Sequence, residues 1–264
     1  MSNDLSQTLI TLAGGFVTVV ALMTATMIVS IRARRLSLVD TVWGLGFVLV
    51  SAVSAALAFG GEGHSLLRWV LLAMTAVWGA RLAWHVGTRN HGKPEDPRYA
   101  DIVERSGGSI ARAALTKVFP AQALGMWVVA APLMVGVNNR SVHVWLLVLG
   151  VVVWAVGLFF ETVGDRQLVV YKSDPANKGK IMDTGLWKYT RHPNYFGDAC
   201  VWWGIGLVAA GSWAGVVALI GPLFMTVSLT EITGAKLNEK GQRSKPGWDD
   251  YVRRTSYFVP LPPK

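Results

Sequence analysis

Charge is scarce in this chain: Asp, Glu, Lys and Arg make up 16% of its 264 residues, against 52% apolar. A soluble domain carries roughly 25% charged residues, so the composition reads as a membrane protein. Cysteine is almost missing. Cys200 stands alone, which excludes an internal disulfide and a multi-cysteine metal site and leaves a small buried apolar residue as its simplest role. The five histidines lack zinc-helix spacing, and there is neither a P-loop nor a soluble dinucleotide fingerprint. No metal is expected, and any nucleotide has to be held in a membrane-embedded pocket. No Lys or Arg precedes the first apolar run, which is too long for the apolar part of a signal peptide, so a retained first span is expected.

Long apolar runs are what the chain does have. A spanning helix needs about 20 mostly apolar residues, since a rise of about 1.5 Å each covers roughly 30 Å of hydrocarbon. About seven segments qualify or nearly so: 8–31, 38–59, 65–87, 119–137, 142–166, 195–211 and 213–233. The sixth is short, and only Gly211-Ser212 separates it from the seventh, so these two are expected to form a tight helical hairpin. The expectation is an all-α polytopic bundle forming a single integral membrane domain over 1–264, with a tail from 234 onward. Three Trp-Gly pairs, at 43–44, 78–79 and 203–204, read as sites of close helix packing.

The net charge is +9, and its distribution gives an orientation. Of the 25 basic residues, 22 fall in the segments after spans one, three and five and in the tail; only Arg68 and Arg140 fall on the other side, and Arg81 lies within span three. The positive-inside rule then puts the N-terminus outside and the C-terminus in the cytoplasm.

Span five holds the most informative polar pattern. Gly150, Gly157 and Gly164 recur every seven residues, forming a stripe that a neighbouring helix can approach closely. Glu161 and Asp165 follow Gly157 by four and eight positions, on that same stripe, so both carboxylates are expected to face the bundle interior. Ionisable residues at such depth are candidates for function; the alternative is pairing with Arg166 or Arg191 at the rim. The stretch GLWKYTRHPNYFGD, Gly185 to Asp198, packs Arg191, His192, Asn194 and Tyr195 into five residues at the mouth of span six. Gly185 and Pro193 break helix, so a turn is expected there. Its cation, hydrogen-bonding groups and stacking face suit an anionic aromatic cofactor. Lys172, Lys178 and Lys180 just before it also fit plain attraction to anionic headgroups.

Asp40, Trp43, Gly44 and Phe47 share one face of span two. Asp40 is either a site residue or a helix cap and dipole partner. Trp78, Arg81 and His85 share a face of span three, where Arg81 either snorkels to the surface or turns inward. The loop RNHGKPEDPRY is read as solvated by default, although Asp96, Arg98 and Tyr99 would also suit a lid. The tail, with Trp248, Tyr251 and the ending YFVPLPP, is expected to be tied down over something rather than loose.

Taken together, DTVWGLGF, WGARLAWHVGTRNHGKPEDPRY, the ETVGD patch, GLWKYTRHPNYFGD and WDDYVRRTSYFVPLPP resemble the bacterial DUF1295 proteins, relatives of the steroid 5-alpha-reductase and sterol-reductase superfamily. The resemblance covers almost the whole chain. It implies a seven-helix membrane enzyme that holds NADPH in the cytoplasmic half of the bundle and reduces a carbon–carbon double bond of a lipid. It implies that Asp165 and Asn194 are the cofactor-contacting acid and amide. Glu161 stands where the reductases have asparagine, Lys172 where they have arginine and Asp198 where they have glutamate, while Tyr251 belongs to the tail closing over the cofactor. The reductases polarise their substrate ketone with a Gln-Glu pair in span two and a tyrosine in span three. Here the Gln-Glu pair is missing, and Trp78 takes the tyrosine's place.

The mechanism implied is hydride transfer to the β carbon of a lipid enone or similarly activated alkene, then protonation of the α carbon. Asp40, kept protonated by desolvation, is the expected polarising donor, with Arg81 or Tyr99 assisting. Two other readings stand beside it. Isoprenylcysteine carboxyl methyltransferases and phospholipid methyltransferases carry a similar Arg-His-Pro-x-Tyr turn, which helps hold S-adenosylmethionine; they usually follow the hairpin with paired glutamates, where Glu231 stands alone. A non-enzymatic lipid-binding or transport protein would use the intramembrane acids for gating, and leaves the cytoplasmic turn unexplained.

Overall fold

A computed structural model describes residues 2–264, with side chains from residue 5 onward. The protein is all-α, with no strand among the described residues and a single parallel bridge between Thr190 and Ser256. The helices are α1 Ser2–Arg32, α2 Leu38–Leu57, α3 Ser65–Asn90, α4 Pro97–Glu104, α5 Ile110–Ala113, α6 Phe119–Val129, α7 Ala131–Gly136 and α8 Val144–Ser173. After them come α9 Pro193–Ala209, α10 Trp213–Val217, α11 Ile220–Val227, α12 Ala235–Lys240 and α13 Trp248–Arg254.

Among the described residues, five helical stretches are long and apolar enough to cross a membrane: Leu5–Arg32, Leu38–Leu57, Ser65–Asn90, Val144–Ser173 and Trp213–Lys240. These correspond to expected spans one, two, three, five and seven. The fourth expected span is instead two shorter helices, α6 and α7. The chain turns at Ala130, and Pro132, in the first turn of α7, has no N–H to offer a continuing ladder. The sixth is α9, at 17 residues about 26 Å long.

The chain forms two compact units. The first runs to Leu146 and takes in Ile205–Gly221. Its core is Phe47, Leu71, Trp78, Met126, Leu133 and Met134, all fully buried. Helices α2 and α3 cross with almost no side chain between them: a Cβ on Gly44 would lie 2.4 Å from the Gly79 carbonyl oxygen, and one on Gly79 would lie 2.4 Å from that of Gly44. Two of the three Trp-Gly pairs therefore mark one crossing. In the same unit Arg68 is buried, and its guanidinium donates to the carbonyls of Gly61, Gly63 and Val137. The cation thereby satisfies orphan carbonyls beyond the ends of α2 and α7.

The second unit comprises Leu147–Gly204 and Pro222–Lys264. Here the glycine stripe of α8 meets α9 in matching register. A Cβ on Gly204 would lie 2.5 Å from the Gly150 oxygen, one on Gly157 would lie 2.5 Å from the Gly197 oxygen, and one on Gly164 would lie 3.2 Å from the Asn194 nitrogen. The third Trp-Gly pair thus belongs to a second close crossing, and the heptad spacing on α8 is answered by glycines 197 and 204 on α9.

Candidate functional site

The polar residues singled out from the sequence fall into two groups, one in each unit. In the first unit the group forms around Asp40 in the opening turn of α2. Asp40 caps nothing. Its Oδ1 accepts from the Tyr99 hydroxyl at 2.5 Å, and its Oδ2 pairs with Arg98 at 3.1 Å. Arg98 in turn reaches Asp96 with Nε at 3.0 Å and Nη2 at 2.9 Å, while its Cζ stands 5.7 Å from the centre of the Tyr99 ring. Tyr99 is buried, and burial followed by the Asp40 charge pushes its phenol well above the ordinary range. Burial opposes ionisation of Asp96, but the Arg98 hydrogen bonds outweigh it and hold that carboxyl below its usual range.

The RNHGKPEDPRY loop is what delivers Arg98 and Tyr99. Asp96 accepts from the Arg98 backbone N–H at 2.9 Å and so caps α4, whose first residue is Pro97. Glu95 accepts from the backbone N–H groups of Leu36 and, at 3.1 Å, Ser37, pinning the loop to the link before α2. Arg35 adds a bond of 2.7 Å to the Asn90 carbonyl. The stretch read as a solvated loop by default is fastened down beside Asp40. Asp-Pro at the α4 start was a legible cap signal. Glu95 gave no local signal, because its partners are 58 and 59 residues earlier. Arg81 lies half-buried on α3, two residues past the Gly79 crossing, and Trp78 is fully buried with its ring 5.7 Å from Phe47. Trp43 stacks edge-on against Phe47 at 5.3 Å and donates to Gln122 at 2.6 Å.

In the second unit the group lies along the α8–α9 seam. Glu161 and Asp165 are 3% and 7% exposed, so both carboxylates are inside the unit rather than facing outward. Asp165 accepts from the Asn194 side-chain amide at 3.0 Å. Gly197 lets α9 come close enough that an added Cβ would stand 2.3 Å from the Glu161 nitrogen. Asp198 follows Asn194 by one turn and is half-buried, while Lys172 is exposed at the end of α8. Glu161 and Asp165, placed on one stripe by their spacing, thus meet Asn194 at one seam. No group of three or more His, Cys, Asp or Glu side chains is placed to hold a metal ion among the described residues.

The Arg191–Tyr195 turn is held by α12, α13 and the tail beyond them. Arg191 Nε pairs with Glu239 at 2.7 Å, and its Nη1 donates to the carbonyls of Thr255 at 2.8 Å and Val252 at 3.3 Å. The Nε2 of His192 lies 3.1 Å from the same Glu239 oxygen, and its ring stacks on Tyr195 at 5.6 Å. Asn238 donates to the Tyr195 hydroxyl at 2.6 Å. The tail lies over this turn: Arg191 N–H donates to Ser256 at 2.9 Å, Leu261 N–H to Tyr189 at 3.0 Å, and the Thr190 hydroxyl to Phe258 at 2.8 Å. Tyr251 donates to the Trp187 carbonyl at 2.7 Å, and burial raises its phenol well above normal. What the tail is tied over is therefore GLWKYTRHPNY itself. Glu239, the residue that gathers Arg191 and His192, went unread from the sequence; it sits in a charged stretch 47 residues beyond His192.

Comparison with known proteins adds the following. Residues 26–255 match the family described as "Protein of unknown function (DUF1295)". A probable O-methyltransferase, ustE of Ustilaginoidea virens, is 42% identical over 64 residues, which is 24% of this chain and 22% of that protein. The steroid 5-alpha-reductase DET2 of Arabidopsis thaliana is 36% identical over 72 residues, 27% of each chain. The DET2 of Gossypium hirsutum is 31% identical over 78 residues, 30% of each. The match thus spans less than a third of the length of each of these curated relatives. No solved structure matches. With the family match running from the end of α1 to the end of α13, the chain belongs to the DUF1295 family.

Proposed function

We propose that this protein is a membrane-embedded reductase that uses NADPH to reduce an activated carbon–carbon double bond of a lipid, working in a bacterial inner membrane with its basic loops and tail in the cytoplasm. The observation that carries the reading is the Asp165–Asn194 pair on the glycine-locked α8–α9 seam. The pair presents an acceptor and an amide side by side, which suits a carboxamide such as that of nicotinamide. Similarity to two steroid 5-alpha-reductases supports the same reaction class.

The residues fit the cofactor in part. Asp165 and Glu161, both buried, and the half-buried Asn194 are hydrogen-bonding groups for the nicotinamide end, with Asp198 a turn further along α9. Lys172 is an exposed cation for a phosphate. Arg191 and His192 are committed to Glu239, so in this proposal they and Tyr251 hold the tail in place over the turn, with Tyr195 as the face on which His192 stacks. NADPH, when bound, supplies the hydride.

In the first unit, Asp40, Arg81 and Tyr99 are proposed to handle the substrate's oxygen and the proton. In this proposal Asp40 and Tyr99, joined by a 2.5 Å hydrogen bond, act together as the proton source, with Arg98 on the second Asp40 oxygen. Asp40 and Arg98 then hold the Tyr99 hydroxyl in position. Tyr99→Phe should lower turnover of an enone lipid by about 100-fold while leaving NADPH affinity within about twofold. An unchanged kcat would remove Tyr99 from the mechanism.

A second reading has its own support in the 42% identity to a probable O-methyltransferase. The choice is made by binding. Detergent-purified protein is titrated with NADPH, NADH and S-adenosylmethionine, and its unfolding temperature followed. A ligand present at about 100 times its Kd stabilises the native state by about 2.7 kcal/mol, and the rise should appear with NADPH and vanish in Asn194→Ala and Asp165→Ala. A rise with S-adenosylmethionine alone would sink the reductase proposal and make this seam a methyl-donor site.

A further inference from the structure

Outside both groups, the second unit carries a groove of about 450 Å³ between the C-terminal third of α8 and the loop at 174–185. Val163, Val170 and Met182 give it apolar walls, and Arg166 and Gln167 enter from α8. Arg166 is exposed, and its guanidinium makes no hydrogen bond or ion pair with any described residue. It differs in this from Arg98, Arg191 and Arg254, each held by a carboxylate. Gln167 accepts the Leu186 N–H through Oε1, at 2.9 Å, which leaves its Nε2 to donate. Asp174 also lines the groove, but its Oδ1 caps the short turn Pro175–Asn177 through the Ala176 N–H at 2.9 Å. Lys178 and Lys180 are exposed on the same loop.

Depth along α8 says what such a groove meets. Arg166 lies 22 residues after Val144, the first residue of α8. At about 1.5 Å per residue that is roughly 33 Å along the axis, just past a hydrocarbon layer of about 30 Å. An unpaired guanidinium is thereby set at headgroup level, with apolar side chains one turn back toward the hydrocarbon. A guanidinium binds phosphate through paired N–H donors, and basic residues at this level attract anionic lipids.

We infer that this groove is a binding site for an anionic phospholipid. The phosphate sits on Arg166 and the Gln167 amide, beside Val170, and an acyl chain runs back toward the hydrocarbon against Val163. The site stands apart from the α8–α9 seam and does not depend on the reductase reading.

Delipidated protein in detergent tests it by native mass spectrometry and thermal shift, using phosphatidylglycerol, phosphatidylcholine and inorganic phosphate as separate probes. Phosphatidylglycerol should be retained about fivefold more strongly than phosphatidylcholine, the worth of one cation at a membrane surface. The preference should fall to about parity in Arg166→Gln and persist in Arg166→Lys. Val170→Trp, which fills the groove without altering charge, should remove it as well, and stands in if Arg166→Gln does not fold. Equal retention of both lipids by the unaltered protein would overturn the inference, as would a preference surviving in Arg166→Gln or Val170→Trp. Stabilisation by inorganic phosphate matching that by phosphatidylglycerol would mean a free-anion site, and loss of NADPH binding in Arg166→Gln a nucleotide site; either overturns the lipid assignment.

Discussion

Gly197→Leu should leave little folded protein in detergent extracts. A Cβ at this position would stand 2.3 Å from the Glu161 nitrogen and 2.6 Å from the Gly157 oxygen, both backbone atoms of α8. Extra volume that displaces side chains costs about 1–3 kcal/mol. Here no side chain can turn aside, so the helices themselves must separate. Separation also breaks the Asp165–Asn194 bond and leaves two buried carboxylates without their surroundings. The loss should exceed that range and show as aggregation in size-exclusion chromatography, or as a fall of many degrees in unfolding temperature. Gly241→Ala is the control: its nearest neighbour is the Asn238 oxygen at 3.6 Å, ordinary contact, and the change should be silent or mildly stabilising. If the two variants unfold alike, the seam is not packed on its glycines.

The second large effect is expected at Glu239. The side chains of Arg191, His192 and Glu239 are only 10%, 7% and 14% exposed, so this cluster is shielded from water. Removing one partner of a buried pair costs about 3–5 kcal/mol, because the charge left behind has neither water nor counter-ion. Glu239→Ala should therefore loosen Arg191 from the carbonyls of Val252 and Thr255 and release the tail. Trypsin, sparing the folded protein, would then cut at Arg253 or Arg254, and intact mass would report the loss of the last ten or eleven residues. Glu239→Gln keeps an acceptor and should fall between. Unchanged cleavage in Glu239→Ala would mean that the backbone bridge at Thr190 and Ser256 holds the tail unaided.

Spacing carried a good part of this architecture. The period-seven glycines of α8 and the Trp-Gly pairs named the close crossings, because a helix can approach only where the Cβ is missing, and that is written in residue identity. Membrane helices were legible for the same reason: each is a long run whose composition alone satisfies the hydrocarbon. Where the chain broke the pattern, as between α6 and α7, the break sits at Pro132, whose missing N–H a count of apolar residues passes over. The candidate site was readable in its members and not in its pairings. Asp40 and Asp165 stood out as polar residues in apolar surroundings, Tyr99 and Asn194 as members of a loop and a turn dense in polar side chains. Arg191 and His192 did too, but their partner Glu239 looked like any surface acid. Pairings across 47 to 59 residues are settled by tertiary packing, and no local window holds them.

The tail's attachment has a consequence for the order in which the protein comes into being. The turn at Tyr189–Arg191 takes its backbone partners from Ser256, Phe258 and Leu261, and Arg191 takes Thr255. Those partners are made 64 to 72 residues after the turn residues they bond. At about 5–20 residues per second, the ribosome needs roughly 3–14 s to supply them. Through that interval the helices of the second unit enter the membrane while the turn beside them waits, its guanidinium and hydroxyl still in water. Closure thus waits on the tail, and a ribosome stalled short of residue 255 would leave an inserted protein whose Arg191 turn is still open.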